Sequence, residues 1–263
     1  SWDSPWGLGR PGWHIECSVM SLENLGKHFD IHGGGPDLLF PHHENEIAQS
    51  ECASEHKFAN YWMHSGLLKI NGEKMSKSLG NFAMLKDLFT SYHPEVIRYY
   101  LISSHYRSSL NFDNESLDQA RSALTRLYQA VSLAPSKESD FHDDSVKEFI
   151  DSMNDDLNTP EALSILFRLA KSINSCQDTH DQMMYASTMR ELGKVLGLLN
   201  DSPEAFFQYG ANLTDEEISK KIEERNQARD TKDFQKADQI RDELAAQGIL
   251  LDDSSDGTTW KKS

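Results

Sequence analysis

His42 and Glu46 stand four residues apart in a stretch opened by Pro41, so on a helix both side chains project from one face. That is ligand spacing for a divalent cation, and Cys17 offers a third donor. A thiolate, an imidazole and a carboxylate together suit zinc, and three protein ligands leave one position for a substrate atom. The same residues also have an ordinary reading. A His/Glu pair at this spacing is commonly a surface pair, and a lone cysteine is commonly a small core hydrophobe.

A second chemical feature is the run Lys74-Met75-Ser76-Lys77-Ser78-Leu79-Gly80-Asn81, with two lysines three apart, hydroxyls between them and a glycine after. Such a loop can close over a polyphosphate and stabilise the charge that grows on departing pyrophosphate. An exposed basic turn is the alternative. Two further fragments are incomplete. His14-Ile15-Glu16 is half of a zinc deaminase signature without its Pro-Cys-x-x-Cys, and His32-Gly33-Gly34-Gly35 is like an esterase oxyanion loop without a Gly-x-Ser-x-Gly elbow. The glycines then read as a tight strand-to-helix turn that admits close backbone approach.

The elements that must carry these residues follow from pattern. Phe29-Asp30-Ile31 reads as a strand end, and Pro41 as the first residue of a helix over 41–53 with Glu44 and Glu46 in its first turn. Leu67-Leu68-Lys69-Ile70 entering Asn71-Gly72 predicts a strand and tight hairpin, so the Lys74 loop hangs off a strand. Helices are expected over 84–92 and 94–104, then over 114–131, where Leu117, Ala120, Leu124, Leu127 and Val131 form one apolar stripe. A polar link over 134–145 precedes a helix from Val146. Thr159-Pro160-Glu161 offers a cap, a proline and an acidic first turn for the next helix, and a further one ends near Leu199. Residues 200–214 read as a linker. Two charged helices over 215–229 and 233–247 stop at Gly248 and give way to Ile249-Leu250-Leu251.

With 263 residues, 38% of them apolar, the chain can bury real cores in one or two domains. It has no apolar run approaching the ~20 residues that span a bilayer and no signal-peptide pattern at its start, so a soluble, cytoplasmic protein is expected, with no membrane partner. Three scattered cysteines, Cys17, Cys52 and Cys176, fit free thiols or a metal thiolate better than disulfides. The start without Met, directly into a Trp/Gly/Pro-rich segment, suggests a fragment. The net charge, 26 − 42 = −16, opposes nucleic-acid binding unless basic residues gather locally. Lys74/Lys77, His105-Tyr106-Arg107 and the basic residues from Lys220 to Arg241 are such gatherings, although the last reads equally as a solvated helix face laced with opposite charges.

Lys74 to Ser78 is the KMSKS signature of class I aminoacyl-tRNA synthetases, intact at all five positions. Gly12-Trp13-His14-Ile15-Glu16-Cys17-Ser18, Phe29-Asp30-Ile31-His32-Gly33-Gly34-Gly35, the run from Phe40 to Ser50, Tyr61-Trp62-Met63-His64-Ser65-Gly66 and Gly257-Thr258-Thr259-Trp260 resemble the cysteinyl-tRNA synthetases, over essentially the whole chain. The resemblance implies an α/β region followed by all-α. Residues 1–112 would be the second half of a Rossmann-type catalytic domain, 113–200 a helical bundle, and 201–263 a small anticodon-binding region. It implies ATP-dependent activation of L-cysteine and transfer to tRNA(Cys), with ATP and Mg as substrate, zinc as cofactor and a monomeric protein. Cys17, His42 and Glu46 match three of four zinc ligands, Trp13 an aromatic near the substrate side chain, Lys77 an ATP-binding lysine, and Lys74 with Lys77 the catalytic loop. The family's fourth zinc ligand and its HIGH motif lie in an earlier segment that is not present. Trp260 either stacks on an anticodon base or caps the terminal core. Two rival expectations remain: a non-catalytic fragment that holds zinc and tRNA, and a cysteine ligase acting on an amino-sugar, which would lack the 213–260 tail.

Overall fold

The computed structural model describes residues 1–70, 72–74, 84–134, 140–211, 213–254 and 257–262. Two compact units emerge. The first comprises residues 1–76 and 106–112, the second residues 77–105 and 113–263. The change of character expected near residue 113 is thus one of the crossings between them, but residues 77–105 belong with the helices rather than with the first unit.

In the first unit, α1 (Trp13–Leu25) leads to β1 (Phe29–Gly34), α2 (Glu44–Ser54) and β2 (Ala59–His64). β1 and β2 pair in parallel, with His32 opposite Trp62 and Gly34 opposite His64, so α2 is the helical crossover that parallel strands require. This pairing carries β1 three residues past the expected end at Ile31. α1 lies on α2, where Ser18 Oγ donates to Gln49 Oε1 at 2.9 Å. A second sheet has the order β4-β3-β5, from β3 (Leu68–Ile70), β4 (Glu73–Lys74) and β5 (Leu110–Phe112). β3 and β4 pair antiparallel with Ile70 opposite Glu73, as the expected hairpin requires, and the Gly72 N–H donates to Asn111 Oδ1 at 2.6 Å; Asn71 lies outside the described residues.

Helix α2 differs from expectation in its start. Leu39–His43 forms one wide helical turn, interrupted by an extended Phe40 (φ −137°, ψ 132°), and regular helix begins at Glu44. Pro41 therefore lies inside the wide turn and does not open the helix. This sets the two adjacent histidines at the base of α2 rather than within it.

The second unit is helical: α3 (Leu85–Leu88), α4 (Pro94–Ile102), α5 (Asn114–Ser132), α6 (Asp143–Asn154), α7 (Thr159–Ser175), α8 (Thr179–Val195), α9 (Pro203–Gln208), α10 (Asp215–Asp230) and α11 (Phe234–Ala246). The strands β6 (Ile249–Ser254) and β7 (Gly257–Lys262) close it as an antiparallel hairpin. Leu117, Leu124, Leu127 and Tyr128 of α5 are fully buried with Leu166 and Ile173 of α7 and Met189 of α8. Capping explains most boundary shifts. His142 accepts from Ser145 N–H, which starts α6 three residues before Val146. Asn158, not Thr159, caps α7 by accepting from Glu161 N–H. Ser202 caps α9 inside the supposed 200–214 linker, ahead of a first-turn proline. α3 is shorter than its expected span, and α8 stops at Val195 before a turn in which Leu199 takes φ 59°. At the chain's end, Ile218, Ile240, Leu244 and Ile249 form a small core.

Candidate metal centre

Cys17 projects from the middle of α1, His42 from the wide turn and Glu46 from the first turn of α2. Their ligand atoms all lie within 4.8 Å of one another. His42 is 5% exposed and Glu46 fully buried, whereas Cys17 is half-buried. His42 Nε2 stands 3.5 Å from Glu46 Oε2. The other oxygen, Oε1, is buried with no hydrogen-bond partner. An orphaned carboxylate oxygen in a dry place costs free energy unless a cation or donor meets it.

The electrostatics point the same way. Burial pushes the Cys17 thiol up, reinforced by the charge of Glu46 and opposed by a hydrogen bond from Trp13. Burial also raises the Glu46 carboxyl, against the pull of His42 and His14. Two acidic groups forced towards neutrality at one point are what a divalent cation would reverse. The mixed sulfur, nitrogen and oxygen donor set fits zinc.

Sequence reasoning singled out one trio, and the fold builds a second around the same glutamate, from His32, His43 and Glu46. His32 Nε2 is 3.2 Å from Glu46 Oε2, and His43 Nδ1 is 2.9 Å from His64 Nε2. Burial, with repulsion from His32 and His64, pushes His43 down to about 4, and burial lowers His32 as well. Gly34 makes room for this crowding: a Cβ there would sit 2.8 Å from the His43 ring. His14 meets His42 through their Nδ1 atoms at 2.6 Å. Both fragments set aside as incomplete motifs thus deliver a residue to this site. The available signal was the three-residue spacing of His14 and Cys17, which shares a helix face.

Trp13 is brought to the site, its ring 4.1 Å from that of His42 and its outer side exposed. Lys77 lies outside the described residues, as do Met75, Ser76 and Ser78. Of Lys74 only its place in β4 is described. Trp260, in the second unit, is half-buried and packs against the Ile218 core. It also lines a cleft of about 980 Å³ with Lys261, Lys262 and Arg121. Among the described residues no helix is long and apolar enough to cross a membrane.

Residues 1–122 match the family described as tRNA synthetases class I (C) catalytic domain, and residues 148–200 match the DALR domain. The chain is 53% identical over 265 residues to a cysteine–tRNA ligase of Azotobacter vinelandii, covering 99% of this chain and 58% of that protein. It is 52% identical to the corresponding protein of Hydrogenovibrio crunogenus and to that of Escherichia coli, covering 100% of this chain and 58% of each. The chain therefore spans a little over half the length of the relatives it matches.

Proposed function

We propose that this chain, which belongs to the cysteine–tRNA ligase family of class I synthetases, contributes the metal-holding side of a site where ATP activates L-cysteine for transfer to tRNA(Cys). The observation that carries the reading is the convergence of Cys17, His42 and Glu46 within 4.8 Å around an unsatisfied buried carboxylate oxygen.

Those three residues would hold zinc and leave a position for the substrate. The bound ion would supply a soft acid that favours a thiolate over a serine hydroxyl, which neither ionises nor ligates comparably. Discrimination by a bond that only the right substrate can return is strong, so no editing step is required of such a site. Trp13, packed against His42 at a tilt of 36° and itself exposed, would form one wall beside the substrate side chain. The Lys74–Ser78 loop would bind ATP with Mg, and Lys74 and Lys77 would stabilise charge as the cysteine carboxylate attacks the α-phosphate and pyrophosphate leaves. Transfer to the terminal ribose of tRNA would follow. In the second unit, the cleft beside Trp260, Lys261 and Lys262 offers a stacking surface with positive charge for unpaired bases.

The test is metal analysis and cysteine-dependent ATP–pyrophosphate exchange on the full protein. One zinc per chain is expected in the unsubstituted protein, with loss of zinc and exchange in Cys17→Ala and Glu46→Ala. Undiminished zinc in both variants would remove the ligand assignment. Undiminished exchange in Lys77→Ala would remove the loop from catalysis.

A further inference from the structure

His14 is absorbed by none of the roles above, yet it forms a side-chain hydrogen bond with His42. Its Nδ1 lies 2.6 Å from His42 Nδ1, with ring centroids 4.8 Å apart and planes tilted by 55°. At that distance one nitrogen carries the proton and the other accepts it. His42 turns its other nitrogen, Nε2, towards Glu46. If Nε2 is the ligand atom it holds a free lone pair, and the neutral ring then carries its proton on Nδ1. Among the described residues, that proton has one acceptor in view, the unprotonated Nδ1 of His14.

We infer that His14 is a positioning residue for the metal centre: it accepts the Nδ1 proton of His42, which selects the tautomer and ring angle that present Nε2 to the ion. The inference rests on the metal reading of Cys17, His42 and Glu46. Water is a poor substitute acceptor, because His42 is 5% exposed and the Trp13 ring lies 4.1 Å from its own. Helix geometry gives the arrangement rigidity. His14 and Cys17 are three residues apart on α1, so one helical face carries both a metal ligand and the group that orients another. Any shift of α1 would then move Cys17 and release His42 together.

The experiment is a Zn²⁺ titration of the full protein against a chelating dye, with Co²⁺ absorption spectra as a second readout, on the unsubstituted protein, Cys17→Ala, His14→Ala and His14→Gln. Outer-shell partners of ligating histidines are worth about 10–100-fold in metal affinity. His14→Ala is therefore expected to keep one site per chain at about 10–100-fold weaker affinity, with shifted Co²⁺ bands. His14→Gln, whose side-chain carbonyl can accept the same proton, is expected to restore both the affinity and the bands. Affinity in His14→Ala equal to the unsubstituted protein, with Cys17→Ala strongly impaired, would overturn the positioning role and leave the metal site standing. A Gln variant as weak as the Ala variant would also overturn it. Binding in Cys17→Ala equal to the unsubstituted protein would instead bring down the metal reading, and this inference with it. Should His14→Ala lose its far-ultraviolet circular dichroism, the Gln variant alone decides.

Discussion

Glu95 in the first turn of α4 should be among the most sensitive single positions in the helical unit. Its carboxylate is 7% exposed. Oε2 accepts from Tyr128 Oη–H of α5 and from Leu199 N–H, both at 2.8 Å. Oε1 accepts from Asn200 N–H at 2.9 Å and from Asn200 Nδ2–H at 3.3 Å. One carboxylate thus fastens α4 to α5 and to the turn after α8, where Leu199 takes a positive φ that needs external support. Glu95→Ala would strand four donors. Asn200 is exposed and can turn to water, but Tyr128 is fully buried and Leu199 is 5% exposed. Two donors bonded to a charged acceptor in a dry interior, at about 2 kcal/mol each, give a loss of roughly 4 kcal/mol. Tyr128→Phe removes a single donor and leaves the carboxylate satisfied, so about 1 kcal/mol is expected. Urea unfolding followed at 222 nm gives both values, and the double variant should cost less than the sum because the two groups share a bond. A Glu95→Ala loss under about 1 kcal/mol, or strict additivity with Tyr128→Phe, would refute the idea that this carboxylate is the common acceptor.

At the first unit's crossing, a Cβ on Gly66 would stand 2.1 Å from the backbone oxygen of Ser108, so Gly66→Ala should cost about 1–3 kcal/mol by displacing 106–112, read as a lowered Tm. Wild-type stability in that variant would show that the segment yields freely. Asp253 is held well below the usual carboxylate range by hydrogen bonds from Arg225 and Thr258, so its contribution is present above the unfolded pKa of about 4 and fades as pH falls below it. The Tm difference between the parent and Asp253→Asn should therefore be full at neutral pH and shrink on acidification. A constant gap across the titration would contradict this. Lys221 Nζ pairs with Glu243 at 2.9 Å. If the chain binds tRNA as proposed, Lys221→Ala should accordingly change the slope of log K against log salt by well under the ~0.7–0.9 of a phosphate contact, and a full-unit change would mean that Lys221 leaves its partner for RNA.

Periodicity exposed α5 because that helix has one apolar face: it buries the very stripe from Leu117 to Val131 that its spacing announces, whereas α1, which carries Cys17, was not expected. It missed α9 because six residues hold too few turns for a period, and it missed β6–β7 because the pairing of Leu251 with Trp260 is a contact between segments, invisible in either alone. Boundaries slipped where an unusual side chain took the cap, as His142 did. At the site, His42 and Glu46 were legible through their spacing. Cys17 was offered as a third donor on its chemistry alone, and the family resemblance matched it to them, since α1 and α2 meet only through packing. His32 and His64 reach the centre because β1 and β2 pair in parallel, and the sequence pattern near Phe29 carries no trace of that register. The basic stretch after Lys220 shows the opposite outcome. Arg225, Arg229 and Lys221 all engage carboxylates of their own domain, as a solvated, cross-linked helix face would.

The histidines around Glu46 follow a common electrostatic logic. Among the described residues, every ion-pair partner of Glu46 is a histidine and none is a lysine or arginine. A permanently charged partner would satisfy the buried carboxylate but also cancel its charge, and so close the point to a cation. Imidazoles do neither when burial holds them neutral, as it does for His32 and His43. His32 meets Glu46 Oε2 at 3.2 Å, which leaves the negative charge of Glu46, and of Cys17 once ionised, to be balanced by something else. A buried carboxylate with an unsatisfied oxygen is an unstable arrangement for a purely structural core. It is a reasonable one for a pocket whose remaining partner is a dication.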